Sequence, residues 1–171
     1  MLDVGAGVGS VHTALLEASA ASAIDVDASR ENLAVARAAA ERRGLADRVT
    51  YRNGDLVELA ADLPESDMVT MDSVVCCYPY LPALVAAAVS VRPRLIGLTF
   101  PLDVWWMLAF MRLFNLGLAL RRIRARYFAH HHEQLRSLLA ASGYAEVHDG
   151  GSPTWRVVLY GHAEERTTPA S

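Results

Sequence analysis

Residues 1–10 read MLDVGAGVGS: one acid in a short apolar run, then glycines at 5, 7 and 9. A buried strand that ends in such a turn leaves a nearly bare backbone. A ligand can touch that backbone with no Cβ in the way. The helix predicted from Ser10 adds free N–H groups at the same place. Glycines at 5, 7 and 9 do not match the G-x-G-x-x-G spacing that seats a dinucleotide pyrophosphate, because Ser10 stands where the third glycine would be. The expected ligand therefore lacks a pyrophosphate.

Strand and helix patterns alternate along the rest of the chain. Residues 10–20 read as a helix and 22–27 (SAIDVD) as a second strand with acids at its end. Residues 29–44 read as a helix that Ser29 caps and Gly44 stops, with Leu33, Ala36 and Ala40 towards a sheet. Residues 48–55 (RVTYRNGD) and 67–76 (DMVTMDSVVC) read as strands. Residues 81–93 read as a helix closed by Pro93, and 94–101 as a fifth strand. An apolar, then basic stretch fills 102–128, and a helix follows over 131–143. Two final strands flank GGSP, 150–153, a hairpin signal. The order predicts an α/β fold: a Rossmann-like, doubly wound, mostly parallel sheet with a C-terminal antiparallel hairpin. One domain is expected over 1–163, and a disordered tail over 164–171.

Composition narrows the function. The 171 residues are 53% hydrophobic and 20% charged, which suits a globular core. A net charge of −3 gives no general reason to expect nucleic acid, although all 16 basic side chains are Arg. Cys76 and Cys77 are adjacent, which fits neither disulfide geometry nor zinc-site spacing, and a reduced, cytoplasmic protein is expected. The apolar run after Leu102 is interrupted by Asp103 and Arg112, so it predicts no membrane span.

Three strand ends then converge on a nucleoside. The glycine turn forms a backbone nest. Asp27, 20 residues after Gly7, can accept from both ribose hydroxyls, and Asp55, in NGD, can accept from an adenine amino group. LDVGAGVG (2–9), IDVDAS (24–29) and NGDL (53–56) resemble the S-adenosylmethionine motifs of the class I methyltransferases, in order and separation. The likeness runs from about Leu2 to His162 and includes the closing hairpin. It implies that Asp3, Gly5, Ala6 and Gly7 approach the methionine end of S-adenosylmethionine. Asp27 and Ala28 then hold the ribose, and Asp55 with Leu56 frames the adenine. Asp25 departs from the family pattern, which has a small residue there, and is expected to face solvent or to bond locally. VVCCYP (74–79) and YFAHHHEQL (127–135) are similar, more weakly, to magnesium protoporphyrin methyltransferases and small relatives.

The expected activity is methyl transfer to an oxygen of a small, apolar or planar acceptor. Asp72 and Ser73, at the end of the fourth strand, are candidates to contact the methionine amino group or the acceptor. Tyr78 and Tyr127 are candidates to shape the acceptor site, and His130 to act as base. Consecutive His130, His131 and His132 point in different directions and cannot readily share one ion, so no metal is expected. The run from Trp105 to Phe114 reads as core packing or as a lid over a greasy acceptor. Arg121, Arg122, Arg124 and Arg126 could meet acceptor carboxylates, or, through 102–126, an anionic membrane surface. The resemblance also implies helices ahead of the first strand. This strand begins at Leu2, which predicts an uncovered sheet face, self-association such as a homodimer, and weak cofactor binding. Two alternatives are a non-catalytic nucleoside- or partner-binding module and, against the glycine spacing, an NAD-dependent oxidoreductase.

Overall fold

Seven strands order themselves as β3-β2-β1-β4-β5-β7-β6 in one sheet. The computed structural model describes residues 1–102, 104–123, 126–128 and 130–163. The expected tail over 164–171 lies outside the described residues. β1 (Leu2–Val4), β2 (Ala23–Asp27), β3 (Val49–Asn53), β4 (Met68–Asp72) and β5 (Leu95–Pro101) run parallel. β7 (Trp155–His162) pairs antiparallel with β5 and with β6 (Tyr144–Gly151). Strand order reverses beside β1, which puts the glycine turn at the switch point where open α/β sheets take ligands.

Helices α1 (Ser10–Ala18) and α2 (Arg30–Arg42) pack on one face through Leu16 and Ala40. Helices α4 (Leu81–Ser90) and α6 (His132–Ala141) seal the other through Leu84, Leu135 and Leu139. Ser29 caps α2, its hydroxyl accepting from the Asn32 N–H at 3.1 Å, and Leu33, Ala36 and Ala40 are buried as their spacing required. α3 (Leu56–Leu59) is a single turn that hydrophobic periodicity is too coarse to find. The fourth strand stops at Asp72, because Ser73 takes φ 62° and residues Val75–Cys77 coil into a 3-10 turn. α5 (Trp105–Leu120) leaves the sheet after β5. On the α1–α2 face the far strands stay open: Leu95 and Val157 are 37% and 44% exposed.

A polar row crosses the sheet beneath α1. Register places Tyr51, Asp25, Asp3 and Thr70 side by side on four neighbouring strands. Asp3 accepts from the Thr70 hydroxyl at 2.6 Å and from the His12 backbone at 3.2 Å, and its Oδ2 lies 2.9 Å from His12 Nδ1. Asp25 does not face solvent: it is 0% exposed, and neither carboxylate oxygen has a hydrogen-bond partner. The strand pleat turns it inward with Ala23 and Asp27. Burial raises its pKa from 3.8 to about 7, with His12 opposing the rise and Asp3 and Asp27 adding to it.

The folded state therefore favours the protonated acid. The contribution of Asp25 to stability is highest below about pH 4 and falls as pH climbs towards 7, where the buried group must ionise. Asp25→Asn is expected to stabilise the protein by ~2 kcal/mol near pH 8, the gain shrinking towards zero near pH 4. Urea unfolding at the two pH values checks this.

Candidate active site

The turn after β1 is built for close approach. Gly5, Gly7 and Gly9 all have positive φ, at 60°, 57° and 79°. A Cβ on Gly5 would fall 2.6 Å from Val74 Cγ2, and one on Gly9 would fall 2.7 Å from the buried His12 ring. A Cβ on Gly7 would meet nothing within 4 Å, so its bare Cα faces open space, as a bound ligand needs. Two anchors hold the turn. The Gly5 N–H donates to the Val26 carbonyl at 2.7 Å, and the Gly7 N–H to Asp27 Oδ2 at 3.0 Å.

Asp27 is buried, and its Oδ1 accepts from the Ser29 N–H at 2.7 Å. Asn32 Nδ2 adds longer contacts at 3.3 and 3.4 Å. Counting Asn32, each carboxylate oxygen already has two donors, and the long Asn32 contacts are the ones a further donor would displace. The Gly54 N–H donates to the Asp27 carbonyl at 3.1 Å, which brings Asp55 beside the end of β2. Asp55 caps α3 by accepting from the Val57 N–H at 2.8 Å. Gly5, Ala28, Asp55, Leu56 and Tyr78 line one cavity. Gly5 of the turn, Val26 and Ala28 at the β2 end, and Asp55 thus meet at one hollow, whose lining does not include Gly7 or Asp27.

Three site residues stand elsewhere than expected. The Asp3 carboxylate is completely enclosed. It braces the turn from behind and does not reach the open cleft. The Tyr78 side chain faces the cofactor hollow rather than the acceptor. Its hydroxyl donates to both Asp55 oxygens, at 3.0 and 2.9 Å. Burial and the Asp55 carboxylate push its pKa up to about 12, so it serves as a donor and not as a base. Asp72 is exposed and accepts from the Ser73 hydroxyl at 3.2 Å. Ala6 closes the turn, its carbonyl accepting from the Gly9 N–H.

A second hollow lies across the turn at Val75–Cys77. Val75, Cys76, Phe100, Met111, His130 and His132 line a tight cavity of about 10 Å³, room for about one water. It adjoins another, of about 400 Å³, walled by Trp106, Phe110, Tyr127 and Trp155. His130 Nε2 is 2.7 Å from the Tyr78 carbonyl, which can only accept, so Nε2 carries the proton and Nδ1 holds the lone pair. Tyr127 is pinned by Asn115 at both its N–H and its carbonyl, at 2.8 and 2.7 Å. Sequence reasoning missed His132. Its ring stacks on Phe100 and its Nδ1 accepts from Arg156, which also pairs with Asp149. Arg156 lies on the last strand, and no local motif links it to a histidine 24 residues earlier. Cys77 was also missed as a cofactor-side residue; a hydrogen bond from Cys76 lowers its pKa to about 7.

Comparison with known proteins agrees with this geometry. Residues 1–92 match the methyltransferase domain family, and the chain belongs to it. It is an S-adenosylmethionine-dependent methyltransferase, which removes the nicotinamide oxidoreductase and the non-catalytic module from consideration. No curated protein matches. Among solved structures, a magnesium protoporphyrin IX methyltransferase from Synechocystis, with bound S-adenosylhomocysteine, superposes with TM-score 0.75 at 23% identity. That match covers 94% of this chain and 72% of the other. A putative sarcosine dimethylglycine methyltransferase from Galdieria sulphuraria gives TM-score 0.72 at 15% identity, over 95% and 78% of the two chains. An O-methyltransferase family 2 protein from Planctomyces limnophilus, in complex with apigenin, gives 0.72 at 23%, over 94% and 49%.

Gly7→Ala is expected to cost only ~1 kcal/mol of stability, from the left-handed backbone, but to weaken S-adenosylhomocysteine binding at least about tenfold. Asp27→Ala is expected to weaken binding at least as much, and also to destabilise the fold by ~2 kcal/mol, because two backbone N–H groups lose their acceptor. Calorimetry and thermal melts on both variants separate the two effects.

Proposed function

We propose that this methyltransferase carries a methyl group from S-adenosylmethionine to an oxygen of a small, apolar or planar acceptor. One observation carries the reading: Cys77 and Tyr78 line the adenosine hollow while Cys76 lines the apolar cavity, so a single turn divides the two. A methyl group held on one side of that turn lies next to an acceptor held on the other.

Gly7 and Asp27 would fix the cofactor, and Asp55, Leu56 and Tyr78 would frame its adenine. Bound there, the cofactor supplies a methyl group already activated by a sulfonium. The protein's remaining work is positioning and the exclusion of water. Met107, Phe110 and Met111 present an apolar wall to the acceptor in the larger cavity. His130 turns its Nδ1 lone pair away from the Tyr78 carbonyl, and Nδ1 accepts the proton of an acceptor hydroxyl as its oxygen attacks. An acceptor carboxylate needs no base. The aromatic walls formed by Trp106, Phe110 and Trp155 suit a flat molecule. Free Cys76 and Cys77 suit a reducing, cytoplasmic setting.

With S-adenosylmethionine and apigenin as a planar phenol probe, formation of S-adenosylhomocysteine is the expected result. His130→Gln is expected to lower kcat about a hundredfold, while cofactor affinity stays put. A carboxylate probe turned over equally by both forms would show that the acceptor oxygen needs no base.

A further inference from the structure

α5 presents its apolar residues to solvent on nearly every side. Only Met107 and Met111 are buried; Trp105 is 80% exposed, Leu113 69% and Leu120 78%. Phe110, Phe114 and Leu116 are also exposed. A helix apolar all round belongs in a core or in lipid, and an exposed patch of this kind marks an interaction surface. At 16 residues α5 is too short to cross a bilayer, and among the described residues no helix qualifies as a span.

Charge identifies the partner. Residues 104–128 hold five arginines and no acid, although the chain as a whole is net −3. Arg112, Arg121 and Arg122 are exposed. Trp105 and Trp106 sit together at the start of the helix, and tryptophan favours the boundary between headgroups and hydrocarbon. A symmetric antiparallel contact between two copies through α5 would bring the central Arg112 beside its mate.

We propose that α5 lies in the interfacial layer of an anionic membrane, its leucines and aromatics in the acyl boundary and its arginines among the phosphates. Trp106, Met107, Phe110 and Met111 belong both to this helix and to the acceptor-side cavity. The cavity therefore opens beside the lipid, and an apolar acceptor enters from it. Docking itself rests on α5 alone, and acceptor entry rests on the methyl-transfer reading above.

The test is flotation of the full chain with phosphatidylcholine vesicles, with and without phosphatidylglycerol, in the absence of cofactor. Binding to the anionic vesicles is expected, with weaker binding at high salt and quenching of tryptophan emission by brominated lipid. Leu113→Glu with Leu116→Glu should lower binding at least about tenfold, and Arg121→Gln with Arg122→Gln should lower it roughly thirtyfold. Both variants should keep their S-adenosylhomocysteine affinity, which shows that they fold. Three outcomes overturn the proposal: no flotation, equal flotation of the variants, or a light-scattering dimer that Leu113→Glu with Leu116→Glu splits. The last would give the helix to a second copy. Loss of turnover with vesicle binding intact would instead count against the methyl-transfer reading.

Discussion

The site depends on one buried carboxylate. Asp27 accepts the N–H groups of Gly7 and Ser29, and so ties the turn after β1 to the start of α2. A glycine-rich turn has more conformational freedom to lose than any other segment. Without a fixed acceptor it would sample many shapes, few of them able to cradle a ligand. A charge-assisted bond from backbone to carboxylate, shielded from water, is among the stronger ways to select one. The backbone carbonyl of the same residue then receives the Gly54 N–H, so a third strand end is registered against the first two. The shape of the turn is thus mostly a matter of main-chain geometry, held by one side chain.

A second polar layer stands behind the first. Asp3 holds Thr70 and the start of α1, with His12 closing over it. Buried polar groups of this kind specify position more than they stabilise. Asp25, next in the row and without a hydrogen-bond partner, is the cost of placing a second acid in that layer. Its ionisation sets a pH dependence on the fold without touching the ligand cleft.

Much of the fold was legible in the sequence. Alternating strand and helix periods, Ser29 and Gly44 at the ends of α2, and the glycines at 5, 7 and 9 located the sheet and its switch point. The positions of Asp27, which ends β2, and Asp55, two residues past β3, were readable because strand ends share one rim. What stayed hidden needed contacts between distant residues. Nothing local shows that the Tyr78 hydroxyl reaches Asp55, 23 residues earlier, or that Arg156 meets His132. Asp25 was misjudged because the inward or outward turn of one strand residue depends on register with its neighbours. Asp3 was assigned a ligand role on family likeness, whereas its burial follows from the central place of β1. The fourth strand was read too long because VVCC is apolar enough to pass for strand, and only the positive φ of Ser73 reveals the bend.

Tyr78 serves two compartments with two different ends. Its hydroxyl reaches across to Asp55 on the nucleoside side, while its carbonyl orients the imidazole of His130 on the acceptor side. The first function disappears with any replacement that lacks a hydroxyl. The second belongs to the main chain, and any residue in that position carries it. A change at this position can therefore remove the bond to Asp55 while the histidine keeps its partner, and the two hollows are free to drift apart in sequence.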